Sequence, residues 1–309
     1  MQSKPLHQEL VVTLYGLYAR ETGSLPVASL VALLADLGVE NGAARSTVSR
    51  LKSKGVLERR ADPGPASYSL SASVMDVFRA DDARIFAPER SRRGDPWALV
   101  VFSVPEAERN RRYELRSELA SLGFGFVAGG VAIAPSTVLD QAIQRLRERG
   151  LLGYIEYFTA QYGSVPFGSA PNGEGDALRE RVRQWWDLEG LDAQYAEFID
   201  DYAGELERWK ARPEQAETQQ SGTQPAGTKQ ARTTEVARLD ETGHSDAFST
   251  YVPLLTRWRR FPYRDPNIPL ELLPVGWKAP RAKALFLELH GMLAAPAEHH
   301  ARSVLASLA

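Results

Sequence analysis

The spacing of apolar residues changes period along this chain, and the change limits what it can fold into. Between Leu6 and Arg20, Leu10, Val11, Leu14, Leu17 and Tyr18 recur every three or four residues, one stripe of an amphipathic helix. "LPVASLVALLADLG" repeats the stripe with Val27, Leu30, Val31, Leu34 and Leu37. It ends on Gly38, a residue that readily takes the left-handed conformation closing a helix. A third helix carries a narrower stripe of Ala44, Val48 and Leu51, and Gly55 stops it before Val56 and Leu57 begin a strand. "ERRADPGPASYSLS" reads as two short strands joined by a Pro/Gly turn. Three helices and a β-hairpin predict a winged helix-turn-helix, and residues 1–80 are read as a DNA-binding domain.

Charge points the same way. The chain has 37 Lys+Arg against 39 Asp+Glu, a formal net charge of -2, so a polyanion must be met by a local patch. No acid lies between Glu40 and Glu58, where Arg45, Arg50, Lys52 and Lys54 accumulate. With Ala44, Val48 and Leu51 inward, Arg45, Ser46, Thr47, Ser49, Arg50, Lys52 and Lys54 are the candidate DNA-binding residues of the third helix and its end. Arg59 and Arg60, entering the hairpin, are placed to reach a neighbouring phosphate. A major groove is wide enough to admit such a helix.

After "RSRRGDP" the pattern becomes α+β. "WALVVFSVP" is a buried strand. "EAERNRRYELRSELASLG" is a helix with Tyr113, Leu115, Leu119 and Leu122 apolar, and "FGFVAGGVAIAP" is two strands around Gly129 and Gly130. A helix, "STVLDQAIQRLRERG", and a strand, "YIEYFTAQY", complete a βαββαβ order, that of a ferredoxin-like domain over residues 95–165. Such modules often pair with themselves, and this one is read as a dimerisation platform. Helical periodicity returns from residue 176 to the end, with Trp185, Trp186, Tyr195, Phe198 and Tyr202 prominent. "RPEQAETQQSGTQPAGTKQARTTE" interrupts it without one large apolar residue. A disordered loop over residues 212–245 inside a C-terminal helical domain is therefore expected.

Several chemistries lack their residues. There is no cysteine, hence no disulfide, thiolate metal site or cysteine nucleophile, as suits a reducing compartment, with the cytoplasm the default. No signal peptide and no stretch of 18 uncharged apolar residues is recognisable, so neither secretion nor membrane insertion is expected. The five histidines, His7, His244, His290, His299 and His300, form no HExxH pair, and no metal site is expected. "GFGFVAGG" has the wrong glycine spacing for a dinucleotide loop. No P-loop or G-x-S-x-G elbow occurs, so no catalytic residue and no cofactor is assigned.

Four segments together resemble the PaaX-type repressors of aromatic acid catabolism: "ARSTVSRLKSKGVL", "WALVVFSVPEAERNRRYELRSELASLGFG" with "GGVAIAP", "RQWWDLEGLDAQYAEF", and "WRRFPYRDPNIPLELLPVGWKAPRAKALFLEL". The resemblance covers nearly the whole chain apart from the polar loop. It implies a homodimeric repressor that releases operator DNA on binding an aryl-acyl coenzyme A thioester, typically phenylacetyl-coenzyme A. The family usually shows Trp-Pro-Gly where this chain has Trp277, Lys278 and Ala279, and the polar insertion is unusually long. The middle domain also resembles the Cas2 nuclease fold, in which an aspartate closing the first strand helps hold a metal. Here that position is Ser103, whose hydroxyl cannot replace a carboxylate for a hard divalent cation.

A coenzyme A thioester pairs an anionic end with an apolar one. Arg257, Arg259, Arg260 and Arg264 offer donors suited to phosphate, and Trp258, Phe261, Tyr263 and Trp277 offer aromatic surface. These form the candidate effector site; equally, the aromatics could be core and the arginines surface or interface. Two rivals to a repressor remain at this stage. One is an enzyme, a Cas2-like metal-dependent nuclease or an acyl-coenzyme A hydrolase, and the other an architectural DNA-binding protein without a ligand.

Overall fold

The computed structural model describes residues 7–20, 22–60, 66–72, 74–75, 85–86, 90–163, 174–212 and 240–308. By contacts the chain divides into two compact units. One comprises Met1–Met75, Asp201–Thr256 and Leu285–Ala309, the other Asp76–Asp200 and Arg257–Ala284.

In the first unit, helices α1 (His7–Tyr18), α2 (Val27–Asp36) and α3 (Asn41–Ser53) pack together, and strands β1 (Leu25–Pro26), β2 (Leu57–Arg59) and β3 (Ser67–Leu70) form an antiparallel sheet of order β1-β3-β2. The short β1 was not foreseen from sequence, and the expected turn within residues 61–65 lies outside the described residues. Leu10, Val11, Leu14, Leu30, Leu34, Ala44, Val48 and Leu51 are buried, so the stripes read from sequence do face the core. Gly38 and Gly55 sit at φ +76° and +68°. Each lets the following N–H turn back onto the helix, Val39 N–H to the Leu34 carbonyl at 2.9 Å and Val56 N–H to that of Leu51 at 3.0 Å.

Helical residues from the C-terminal third complete this unit. Asp240 begins α8 (Glu241–Trp258) by accepting the Gly243 N–H at 2.7 Å, so the helix starts inside the span expected to be a loop. The rest of that expected loop, residues 213–239, lies outside the described residues. Thr256 donates to the Thr13 hydroxyl at 2.9 Å, and Tyr18 packs on Phe248 with ring centroids 6.0 Å apart. The His300 ring of α10 (Ala279–Ser307), the helix's tenth in chain order, lies 2.8 Å from the Asp36 carboxylate.

The second unit contains the βαββαβ order. Strands β4 (Trp97–Phe102), β5 (Gly125–Ala128), β6 (Val131–Pro135) and β7 (Ile155–Ala160) form an antiparallel sheet of order β5-β6-β4-β7, with α4 (Arg109–Ser121) and α5 (Leu139–Glu148) between strands. Register places Leu99 against both Ile133 and Phe158, so Ala98, Val100 and Phe102 share one face. That face is buried against Leu115, Leu119, Ala142 and Leu146. Tyr113 departs from the expected stripe of α4: it is 72% exposed, because only one side of that helix meets the sheet. On the opposite face, α6 (Glu174–Trp185) brings Trp185 and Trp186 against Trp97 and Gly125, and the Trp186 indole donates to the Gly123 carbonyl at 2.9 Å. Helix α7 (Leu188–Lys210), of which the residues up to Asp200 belong to this unit, and the short α9 (Phe261–Arg264) follow. No helix among the described residues is long and apolar enough to cross a membrane.

Candidate nucleic-acid interface

Helix α3 separates its residues by face. Ala44, Val48 and Leu51 are buried, while Arg45, Ser46, Ser49, Arg50 and Lys52 are exposed, as are Lys54, Arg59 and Arg60 just beyond it. Thr47 is the exception among the candidate residues. It is fully buried, and its hydroxyl donates to the Ala43 carbonyl at 2.8 Å, the back-bond open to threonine inside a helix. It therefore belongs to the core side of α3 and is no part of the outward surface; three residues after Ala44 and four before Leu51, it falls on their buried stripe. Arg50 Nη2 lies 3.4 Å from the Thr47 hydroxyl oxygen, so the guanidinium tip of this outward side chain leans back along the helix.

The exposed set presents cations and hydroxyls without an acid on the helix itself, and α3 carries Arg50 and Lys52 in its last turn, where cations favour the helix dipole. The nearest acid in the hairpin, Glu58, pairs in register with Ser69, one residue from Arg59. Donors on such a surface can bond phosphate oxygens and base edges.

The C-terminal residues proposed for an effector do not converge on one site. Trp258 and Phe261 are 3% and 4% exposed. The Trp258 indole donates to the Ile85 carbonyl at 3.0 Å, and Phe261 stacks on Tyr195 at 4.3 Å. Both border a cavity of about 220 Å³, below the 300–1,000 Å³ common for ligand sites. Trp277 meets the edge of Tyr195 at 5.9 Å and lines a separate groove. Arg257 lies 3.7 Å from Glu197 and Arg264 donates to Gln194 at 2.6 Å, while Arg259 and Arg260 are half-buried. The aromatic part of this set is largely core.

Sequence reasoning missed the polar network beneath it. Asp265, 3% exposed, accepts from Arg90 and from the Tyr195 hydroxyl, each at 3.0 Å, and from the Asn267 N–H at 2.8 Å; Arg90 also donates to the Ile268 carbonyl at 2.8 Å. Burial, then the Asp265 charge, pushes the Tyr195 hydroxyl far above its ordinary pKa, so it remains a donor. The Asp265-Pro266 dipeptide signals a turn, but nothing local names partners 175 and 70 residues away. Lys278 donates its N–H to Asp192 at 2.8 Å, and its ammonium pairs with the same carboxylate; the proline that the resemblance would place here has no N–H to give. Among the described residues no group of three or more His, Asp or Glu is arranged to hold a metal ion.

Comparison with known proteins gives a consistent picture. Residues 7–74 match the family described as PaaX-like protein, residues 90–170 the PaaX protein central Cas2-like domain, and residues 227–303 the PaaX-like protein C-terminal domain. The Transcriptional repressor PaaX of Escherichia coli (strain K12) is 26% identical over 286 residues, which is 92% of this chain and 79% of that protein. A solved structure, the uncharacterized protein Rv0674 from Mycobacterium tuberculosis, is similar over 95% of this chain and 97% of its own, with 20% identity and a TM-score of 0.49. With three profiles in the same order along the chain and a relative alike over nearly all of it, the chain belongs to the PaaX family.

Proposed function

We propose that this chain is a transcriptional repressor that reads double-stranded operator DNA with α3 as the recognition helix of a winged helix-turn-helix. The observation that carries the reading is the division of α3 into a buried apolar side and an exposed side bearing Arg45, Ser46, Ser49, Arg50 and Lys52. The β2–β3 hairpin, with exposed Arg59 and Arg60, is the wing. The relative's name supports repression, and the chain is a regulator rather than an enzyme.

The finer reading is a cytoplasmic homodimer paired through its ferredoxin-like domain. It controls an aromatic acid (phenylacetate-like) catabolic operon and is released by an aryl-acyl coenzyme A effector. Two recognition helices reading half-sites about 34–36 Å apart make affinity sensitive to a small rotation. A ligand causes release only if it binds the conformation without DNA more tightly.

The test is an operator selected from a random DNA pool, followed by gel-shift titration. Arg45→Ala and Arg50→Ala should each weaken binding about 10-fold or more and flatten its salt dependence by about one phosphate contact. Both residues are exposed, so the variants should fold. Wild-type affinity and salt slope in both would remove α3 from the interface.

A further inference from the structure

An effector needs a cavity larger than the one bordered by Trp258 and Phe261, and the second unit contains one. It measures about 330 Å³ and is lined by Ser91, Arg92, Arg93, Trp97, Tyr162 and Arg179, among others. Its cationic wall is a tight turn. The Arg92 N–H donates to the Asp95 carboxylate at 2.7 Å, Asp95 N–H returns to the Arg92 carbonyl at 3.1 Å, and Gly94 takes φ +92° to close the loop. The turn leaves Arg92 and Arg93 exposed, and among the described residues no ion pair occupies either guanidinium. Asp95 and Glu271 also line the cavity, two acids against the three cations Arg92, Arg93 and Arg179, and Asp95 is engaged by its own turn.

The other wall is aromatic. Tyr162 and Trp97 border the cavity and are joined behind it by Trp185, with centroid distances of 6.2 and 6.4 Å. Ser91 supplies an independent observation. It is 7% exposed, its N–H donates to the Asn267 carbonyl at 2.9 Å, and its hydroxyl is buried without a partner. A hydroxyl buried without a partner, on a residue that borders a cavity, is costly unless a small shift lets something there bond it. Arg179 and Glu271 line this cavity and also a groove of about 890 Å³ that contains Arg183 and Trp277, whose buried indole N–H likewise has no partner.

We propose that this cavity binds a phosphate-bearing ligand with a flat ring: Arg92 and Arg93 take the phosphate, Trp97 and Tyr162 flank the ring, and the Ser91 hydroxyl bonds a polar edge. Nucleotides and coenzyme A thioesters share that chemistry. The inference rests on the effector reading above and moves the ligand from the Trp258 segment to the Arg92–Asp95 turn.

The test titrates full-length protein with phenylacetyl-coenzyme A, with ADP and with inorganic phosphate, reading tryptophan fluorescence and calorimetric heat. Saturable binding of an organic probe is expected, weakened about 10- to 100-fold in R92E/R93E, the range for lost charge-assisted hydrogen bonds. Y162A should weaken the same probe about 10-fold through lost stacking. Tighter binding of the thioester identifies a coenzyme A ester, and equal affinity identifies the nucleotide as the recognised part. Wild-type affinity in R92E/R93E, or no binding of either organic probe to the wild-type protein, overturns the assignment. Operator binding in the same samples separates this outcome from the repressor reading. If R92E/R93E binds the operator and phenylacetyl-coenzyme A still releases it, the cavity assignment falls and the repressor stands. If wild-type protein binds probe but no DNA, the reverse holds.

Discussion

Replacing Asp265 tests whether one buried carboxylate organises the second unit. Asp265→Asn keeps the shape and one acceptor oxygen but removes the charge facing Arg90. Breaking a buried ion pair by removing one partner costs about 3–5 kcal/mol. Arg90 retains the Ile268 carbonyl, and its side chain is 23% exposed, so the lower end, about 3 kcal/mol, is expected. Asp265→Ala also strands the Tyr195 hydroxyl and the Asn267 N–H, each costing about 1 kcal/mol or more, for a total near 5 kcal/mol. Asn267 is itself at φ +52°, a left-handed conformation that the Asp265 contact helps to hold. The assay is urea unfolding followed by tryptophan emission. Five of the six tryptophans, Trp97, Trp185, Trp186, Trp258 and Trp277, belong to the second unit, so the signal reports on it. With a urea dependence of about 1–3 kcal/mol/M, Asp265→Asn should lower the midpoint by about 1 M or more. A shift below about 0.3 M in both variants would refute the reasoning, since it would mean that water replaces the carboxylate at little cost.

Three other outcomes are expected. A Cβ added at Gly125 would meet the Trp185 carbonyl at 2.7 Å and the Trp186 ring at 2.7 and 2.8 Å. Gly125→Ala should therefore cost about 1–3 kcal/mol in the same unfolding assay, as overpacking does. Thr47→Val should leave operator affinity within about twofold in a gel shift, whereas Ser46→Ala with Ser49→Ala should weaken it about 2- to 10-fold, because only the serines are exposed. Burial holds His244 and His290 below their ordinary pKa of 6.5, with the His299 charge adding to the effect at His244. Their neutral forms are favoured by folding, so their stabilisation is complete above pH 6.5 and declines as pH falls toward the lower folded values. Thermal midpoints from pH 7.5 to pH 5.5 should fall less steeply in His244→Asn/His290→Gln than in the wild type.

Much of the fold was legible because its determinants are local. Leu10, Leu14, Leu30, Leu34, Val48 and Leu51 repeat at helical spacing, and each is buried. Gly38 and Gly55 mark helix ends because each takes a positive φ that other residues resist. The βαββαβ order followed from alternating strand and helix patterns, and the strand order was then one of few that short connections allow. What escaped was pairing over distance. No periodicity tells that α8 packs Thr256 on Thr13, or that Arg90 has its carboxylate at Asp265. Thr47 was misplaced for a related reason: residue type marks it as a hydrogen-bond donor, but only the angular position beside Ala44 and Val48 decides that it points inward.

The same distinction explains why the two candidate sites differ in how well sequence revealed them. A recognition helix is read by the groove as one face of one element, so its charges and hydroxyls must fall within about 13 consecutive residues, and a window from Asn41 to Ser53 without an acid suffices to single out α3 as the candidate. A ligand cavity has no such requirement. Ser91, Tyr162 and Arg179 are spread along the chain and meet only because β4, β7 and α6 bring them to one end of a sheet. Aromatic and basic residues clustered in sequence, as from Arg257 to Arg264, therefore argue for a binding site less well than they argue for a core crossing. Trp258 and Phe261 must fill volume wherever the chain passes through the interior, and their neighbouring arginines can find partners such as Glu197 and Gln194 nearby.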